Sequence, residues 1–198
     1  MSQGHSFASP APSGLGALAM ACFCFFALLS GKVSGTAAPV LACWMIGGGI
    51  VQLVVGVIEL KDHNITGGNV FTFFAAFFMF TTAFSLLMKY GLGQAGLPMD
   101  TRIEGWGWLA GTAFLFAMTP NYLKSSKLLF LVVVLIDIAL VCITLLDLQL
   151  DVNRALLAQI AAWSLFVTGC LAVYLAGAIS INTNFGRSVL PIPGPFIR

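Results

Sequence analysis

The chain has 198 residues, a formal net charge of only +2, 59% hydrophobic residues and just 8% charged ones. Soluble domains carry about 25% charged residues, so a surface this poor in charge cannot stay hydrated, and a soluble globular protein is excluded. The nine Lys and Arg are scattered rather than clustered, which leaves no surface for nucleic acid.

Residues 1–12 form a polar, proline-containing N-terminal tail without the basic stretch of a secretory signal. A first apolar helix is predicted over Gly14–Leu29, ended by Ser30-Gly31-Lys32. The second, Ala37–Leu60, closes at Lys61-Asp62-His63-Asn64. The third, Val70–Met88, is strongly aromatic, with Phe71, Phe73, Phe74, Phe77, Phe78, Phe80 and Phe84. Lys89 to Arg102 reads as a glycine-rich loop. A shorter fourth helix, Ile103–Thr119, enters through Trp106 and Trp108 and stops at Pro120-Asn121. Leu128–Leu148 and Ala155–Ile181 are the fifth and sixth, and residues 182–198 form a C-terminal tail. Crossing a bilayer takes roughly 17–25 residues, which the first and fourth helices reach only with their flanks. The expectation is an all-α integral membrane protein with one six-helix transmembrane domain over residues 13–181.

Six spans put both termini on one side. Lys61, Lys124, Lys127, Arg187 and Arg198 share that side, against Lys32, Lys89, Arg102 and Arg154 opposite. This small excess favours cytoplasmic termini in the cell membrane. The sequon Asn64-Ile65-Thr66 then lies in a cytoplasmic loop, away from glycosylation.

Within the second helix, Gly49, Gln52, Gly56 and Glu59 fall within about 80° of one another at about 100° per residue. A polar seam in an otherwise lipid-compatible segment must face protein or water. Glu59 lies near a helix end and could simply reach the headgroup zone. Gln52 is deeper, and its amide needs partners, from a neighbouring helix or from a solute. Asp137 sits ten residues into the fifth helix, where a carboxylate costs about 2.5–3.5 kcal/mol on insertion scales. It is therefore protonated, hydrogen-bonded within the bundle or water-facing, and is a candidate proton carrier. The five cysteines all lie in apolar runs and read as small packing residues. His5 and His63, in the tail and a loop, offer neither a catalytic triad nor a metal site. No cofactor or metal is expected, and loops this short leave no room for a catalytic domain.

Two terminal motifs resemble those of a known family. Ser9-Pro10-Ala11-Pro12-Ser13-Gly14-Leu15 is similar to the Asn-Pro-Ala-Pro-Leu-Gly-Leu lead-in of the acetate uptake transporter family, the succinate–acetate permeases. Phe185-Gly186-Arg187-Ser188-Val189-Leu190-Pro191-Ile192 resembles that family's Phe-Gly-Arg-Thr-Val-Leu-Pro-Ile tail. Between them, Gly48-Gly49-Ile50-Val51-Gln52 and Gly56-Val57-Ile58-Glu59 echo the family's second helix. Gly68-Asn69-Val70-Phe71 echoes its Gly-Asn-Thr-Phe. The resemblance implies a cyclic homo-hexamer in lipid, cytoplasmic termini and a separate pore in each six-helix subunit. It also implies transport of acetate and related short carboxylates, in some members succinate, by a channel or coupled to protons. The family's Phe, Tyr and Leu constriction falls by position on Leu18, Met79 and Ile136. None of the three is identical here, which leaves an aliphatic-thioether gate or one refilled by Phe25, Phe78 or another phenylalanine. Asp137 stands where those relatives carry no charge.

The pathway expected on this basis is lined by helices one, two, three, five and six. Gln52 and Asn69 offer hydrogen bonds to the permeating carboxyl group. Leu18, Met79 and Ile136 form a dry gate, with Ala172 and Tyr174 of the sixth helix beside it. Glu59 or Asp137 is the proton relay if transport is proton-linked. No covalent chemistry is called for, so the chain is not expected to be an enzyme. Two alternatives stand beside this reading: a channel for neutral solutes such as urea or short amides, and a non-transporting membrane sensor.

Overall fold

A computed structural model describes residues 8–150 and 153–197. Its helices are α1 (Ala11–Leu29), α2 (Ala38–Lys61), α3 (Ile65–Gln94), α4 (Arg102–Met118), α5 (Lys127–Asp147) and α6 (Arg154–Phe185). All except α4 are long and apolar enough to cross a membrane. At 1.5 Å per residue the 17 residues of α4 reach only about 26 Å, short of the roughly 30 Å hydrocarbon core. A 3₁₀ turn, Thr119–Lys124, extends that span.

Local chemistry sets the helix boundaries. Prolines occupy the first turns of α1 and α2, where the missing N–H is no loss. Asn64, Ser126 and Asn153 cap α3, α5 and α6, their side-chain oxygens accepting from the amides of Gly67, Leu129 and Leu156. Gly186, in the left-handed region at φ 61°, ends α6.

The third helix begins at Ile65 rather than Val70 and the sixth runs on to Phe185 rather than Ile181, and two further stretches differ from the sequence expectation. Lys89–Gln94 is not loop but the end of α3, which runs 30 residues before Gly96 turns the chain at φ 68°. Lys89 is ion-paired to Glu104 of α4, and Ser85 donates to the same carboxylate, so this last stretch is held against a neighbour. The second stretch follows Phe185. Instead of trailing away, the C-terminal residues fold back on the bundle, with the amides of Phe196 and Ile197 donating to the Leu123 carbonyl at 3.0 and 3.1 Å.

The seam of α2 is buried along its whole length at Gly49, Gln52, Gly56 and Glu59. α3 crosses it in close contact. A Cβ on Gly56 would lie 2.8 Å from the Thr72 amide nitrogen and 3.0 Å from the Gly68 carbonyl oxygen. α1 and α6 are zipped by aromatic contacts of Phe23 and Phe26 with Trp163 and Phe166 at 4.7–5.7 Å between ring centroids. α4 and α5 share a buried hydrogen bond between the Thr112 and Thr144 hydroxyls, 2.9 Å long.

Because the added methyl would meet Thr72 Cγ2 at 2.6 Å as well as the backbone of α3, Gly56→Ala is expected to destabilise the purified protein by about 1–3 kcal/mol, as overpacked contacts do. Gly47, whose Cβ would meet nothing within 4 Å, provides the contrast: Gly47→Ala should leave stability level or raise it slightly. Denaturant unfolding of both variants in detergent measures the difference.

Candidate functional site

The helices enclose a cavity of about 330 Å³. On α1 it is lined by Ala11, Leu15, Leu18 and Cys22, one helix face spanning about 16 Å of axis. α5 contributes a longer face from Leu129 through Val132 and Ile136 to Ile143, and α3 contributes Phe71, Phe74 and Phe78. The wall is therefore apolar for most of its length.

Polar groups gather at the end near the chain termini. Glu59, Asn64, Thr66, Tyr122, Ser125 and Ser126 line the cavity there, with Ile192 of the returning tail beside them. The buried Glu59 carboxylate accepts from the Asn64 side-chain amide. The Tyr122 phenol is buried in the same part of the wall and offers a hydroxyl donor there. Deeper in, Gln52 is only 2% exposed, and its Oε1 is without a hydrogen-bond partner. A buried amide oxygen left unpaired costs roughly 1–3 kcal/mol, so a visiting donor would be favoured. Among the described residues, no Lys, Arg or His lines the cavity.

Of the residues expected from the sequence, Leu18, Gln52, Glu59 and Ile136 line this space together. The other five do not line it. The Asn69 side chain donates to the Ile65 carbonyl within α3, at 2.8 Å. Ala172 is fully buried behind the wall, in a cluster with Leu15, Ala19, Val132 and Leu175. Tyr174 donates its hydroxyl to the Pro191 carbonyl at 2.8 Å. Asp137 is buried; its Oδ2 accepts from the Thr119 hydroxyl at 2.7 Å, and its Oδ1 has no partner.

Met79 is fully buried against Gly48 and Gly49 of α2, and Phe78 faces the cavity in its stead. The cause is local. Residues Ala75–Thr81 form a π-helical turn, which fits an extra residue into the helix and turns the following side chains out of α-helical register. Met79 holds the position of the family motif, and here that position faces α2 rather than the cavity. Tyr122, Asn64, Ser125, Ser126 and Ile192 were not among the pathway residues expected from the sequence. Pro120 and Asn121 marked only a helix end, not the inward fold of the turn that carries Tyr122.

Comparison with known proteins agrees with this architecture. The GPR1/FUN34/yaaH family matches residues 1–193. The succinate-acetate/proton symporter SatP of Escherichia coli (strain K12) is 31% identical over 153 residues, 77% of this chain and 78% of that protein. Two longer Saccharomyces cerevisiae proteins also match. Accumulation of dyads protein 2 is 28% identical across 71% of this chain and 51% of its own length. Ammonia transport outward protein 2 is 27% identical across 76% of this chain and 55% of its own length. The solved structure of the bacterial acetate channel SatP superposes with a TM-score of 0.81 at 27% identity, covering 94% of this chain and 99% of that one. The terminal motifs, the helical bundle and these matches converge: the chain is an integral, multi-pass membrane protein and belongs to the GPR1/FUN34/yaaH family.

Proposed function

We propose that this protein is a membrane transporter or channel for acetate and other short carboxylates, succinate among the candidates, and that the acid crosses in its protonated form or together with a proton. The observation that carries the reading is the cavity itself: an apolar passage with the unpaired Gln52 amide in its wall and no cationic side chain among the described lining residues. An anion would lose its hydration there with no positive partner to replace it. A neutral acid loses far less and brings both a donor and an acceptor for Gln52. Likeness to a succinate-acetate/proton symporter and to an acetate channel supports the same substrate class.

In this reading Leu18, Ile136 and Phe78 form the dry constriction, with Met79 packed behind Phe78. Gln52 receives the carboxyl group, and Glu59, hydrogen-bonded by Asn64 and near Tyr122, exchanges protons at the mouth. Asp137 is the second relay candidate, reached through Thr119 rather than from the cavity. Asn69 and Tyr174 act through the backbone they hold rather than on the solute, and Ala172 backs the wall. The termini lie in the cytoplasm, the assembly is a homo-hexamer with a pore per subunit, and no catalysis is involved.

Labelled acetate should enter proteoliposomes faster as the external pH falls, following the concentration of the protonated acid. Urea flux without acetate flux would overturn the reading in favour of a neutral-solute channel. Absence of both would favour a sensor. Gln52→Leu should lower acetate flux about fivefold, the factor that one hydrogen bond of ~1 kcal/mol supplies. Asp137→Asn tests the relay separately: if the pH dependence survives intact, Asp137 carries no transported proton.

A further inference from the structure

Beyond Gly186 the chain turns back across the end of the bundle where the cavity opens. Asn182 holds the turn: its side-chain oxygen accepts from the amides of Val189 and Leu190 at 2.7 and 2.9 Å, and its Nδ2 donates to the Leu190 carbonyl at 2.8 Å. Tyr174 fastens the next residue, donating to the Pro191 carbonyl. Farther on, the Lys127 amide donates to the Pro193 carbonyl at 3.3 Å, and the Phe196 ring packs on Phe130 at 5.4 Å. Ile192, between these fastenings, points inward. It packs against the cluster of Leu15, Val132 and Leu175 and lines the cavity.

We propose that residues 190–197 form a strap across the termini-side mouth of the cavity, and that Ile192 is the gate residue that narrows this mouth. The way the strap is held argues for release rather than permanent closure. Pro191 and Pro193 are exposed, as are most of its residues, whereas Ile192 is partly buried. Its attachment is mainly through individual hydrogen bonds, each a net contribution of only about 1 kcal/mol. Segments with little buried apolar area and exposed hydrogen bonds open locally at low cost. The two prolines flanking Ile192 bar it from joining a helix and keep the segment extended. Lifting the strap withdraws one branched side chain from the mouth and leaves Glu59, Tyr122 and Ser126 facing solution.

The proposal rests on the reading of the cavity as a transport pathway, and the test separates the two. Val132, only 1% exposed, lines the cavity beneath Ile192 and on the strap's side of Ile136, so modification of the near-isosteric Val132→Cys thiol by N-ethylmaleimide, followed by peptide mass spectrometry on the detergent-solubilised protein, reports opening without reference to any solute. In that background Tyr174→Phe, which removes one hydrogen bond, should raise the modification rate about fivefold, and Ile192→Ala, which removes the covering side chain, should raise it at least as much. Ile192→Trp should lower it, and acetate flux in proteoliposomes should follow the same order. General loosening of the fold would raise the rate in all three variants, so an increase in Ile192→Trp overturns the gate. Equal rates in the Val132→Cys parent and all three variants overturn it as well. If this thiol responds in the expected order while acetate does not cross in any of the proteins, the gate stands and the acetate reading falls.

Discussion

An amide and a carboxylate on α2 cannot face acyl chains, and the arrangement of this molecule follows from where they are put. Each unpaired polar group in hydrocarbon costs several kcal/mol, so the face bearing Gln52 and Glu59 must turn inward. Gly49 and Gly56, on the same face, let α3 come close enough to seal it from lipid. Backbone meets backbone at Gly56, leaving no space for even a methyl group. With α3 pressed on the glycines, Gln52 and Glu59 are left between the bundle's other members, and the cavity is the space around them.

That space has a polar mouth and an apolar interior, and the division is physical rather than decorative. At the mouth, Glu59 is satisfied by Asn64 and accompanied by Tyr122, groups that can exchange protons and hydrogen bonds with water. Below it, leucine, valine, isoleucine and phenylalanine side chains from α1, α3 and α5 offer little to an ion. Gln52 stands at the transition. Such a gradient favours solutes that enter hydrated and continue neutral, which is the behaviour of a weak acid that takes up a proton at the threshold. Anchored at both ends by hydrogen bonds, the C-terminal segment lies over the termini-side mouth, and in the proposed reading access is controlled there while the solute is selected deeper in.

The helices were legible because hydrophobic runs of this length and purity allow few alternatives in a polypeptide, although their ends were less so: Asn64 starts α3 at Ile65, five residues before Val70. The inward face of α2 was legible too, since polar residues sharing one side of a membrane helix constrain its orientation by themselves. Legibility failed where the backbone departed from regular geometry. The π turn at Ala75–Thr81 exchanged Phe78 for Met79 at the cavity wall. The 3₁₀ turn after Pro120 brought Tyr122 inside, and Gly91 and Gly93, ordinarily loop residues, remained helical because Lys89 and Ser85 are tied to α4.

What the sequence determined by itself was the solvent of this protein, its helical class and which side of α2 avoids lipid, because composition and 3.6-residue periodicity act through local free energies. Only the tertiary structure decided which side chains share the cavity with Gln52 and Glu59. It joined residues more than a hundred positions apart, such as Glu59 and Ile192, through packing and hydrogen bonds that no local pattern encodes. It also gave Asp137 the Thr119 hydroxyl as its partner, a contact across 18 positions between two elements that helix periodicity alone does not choose.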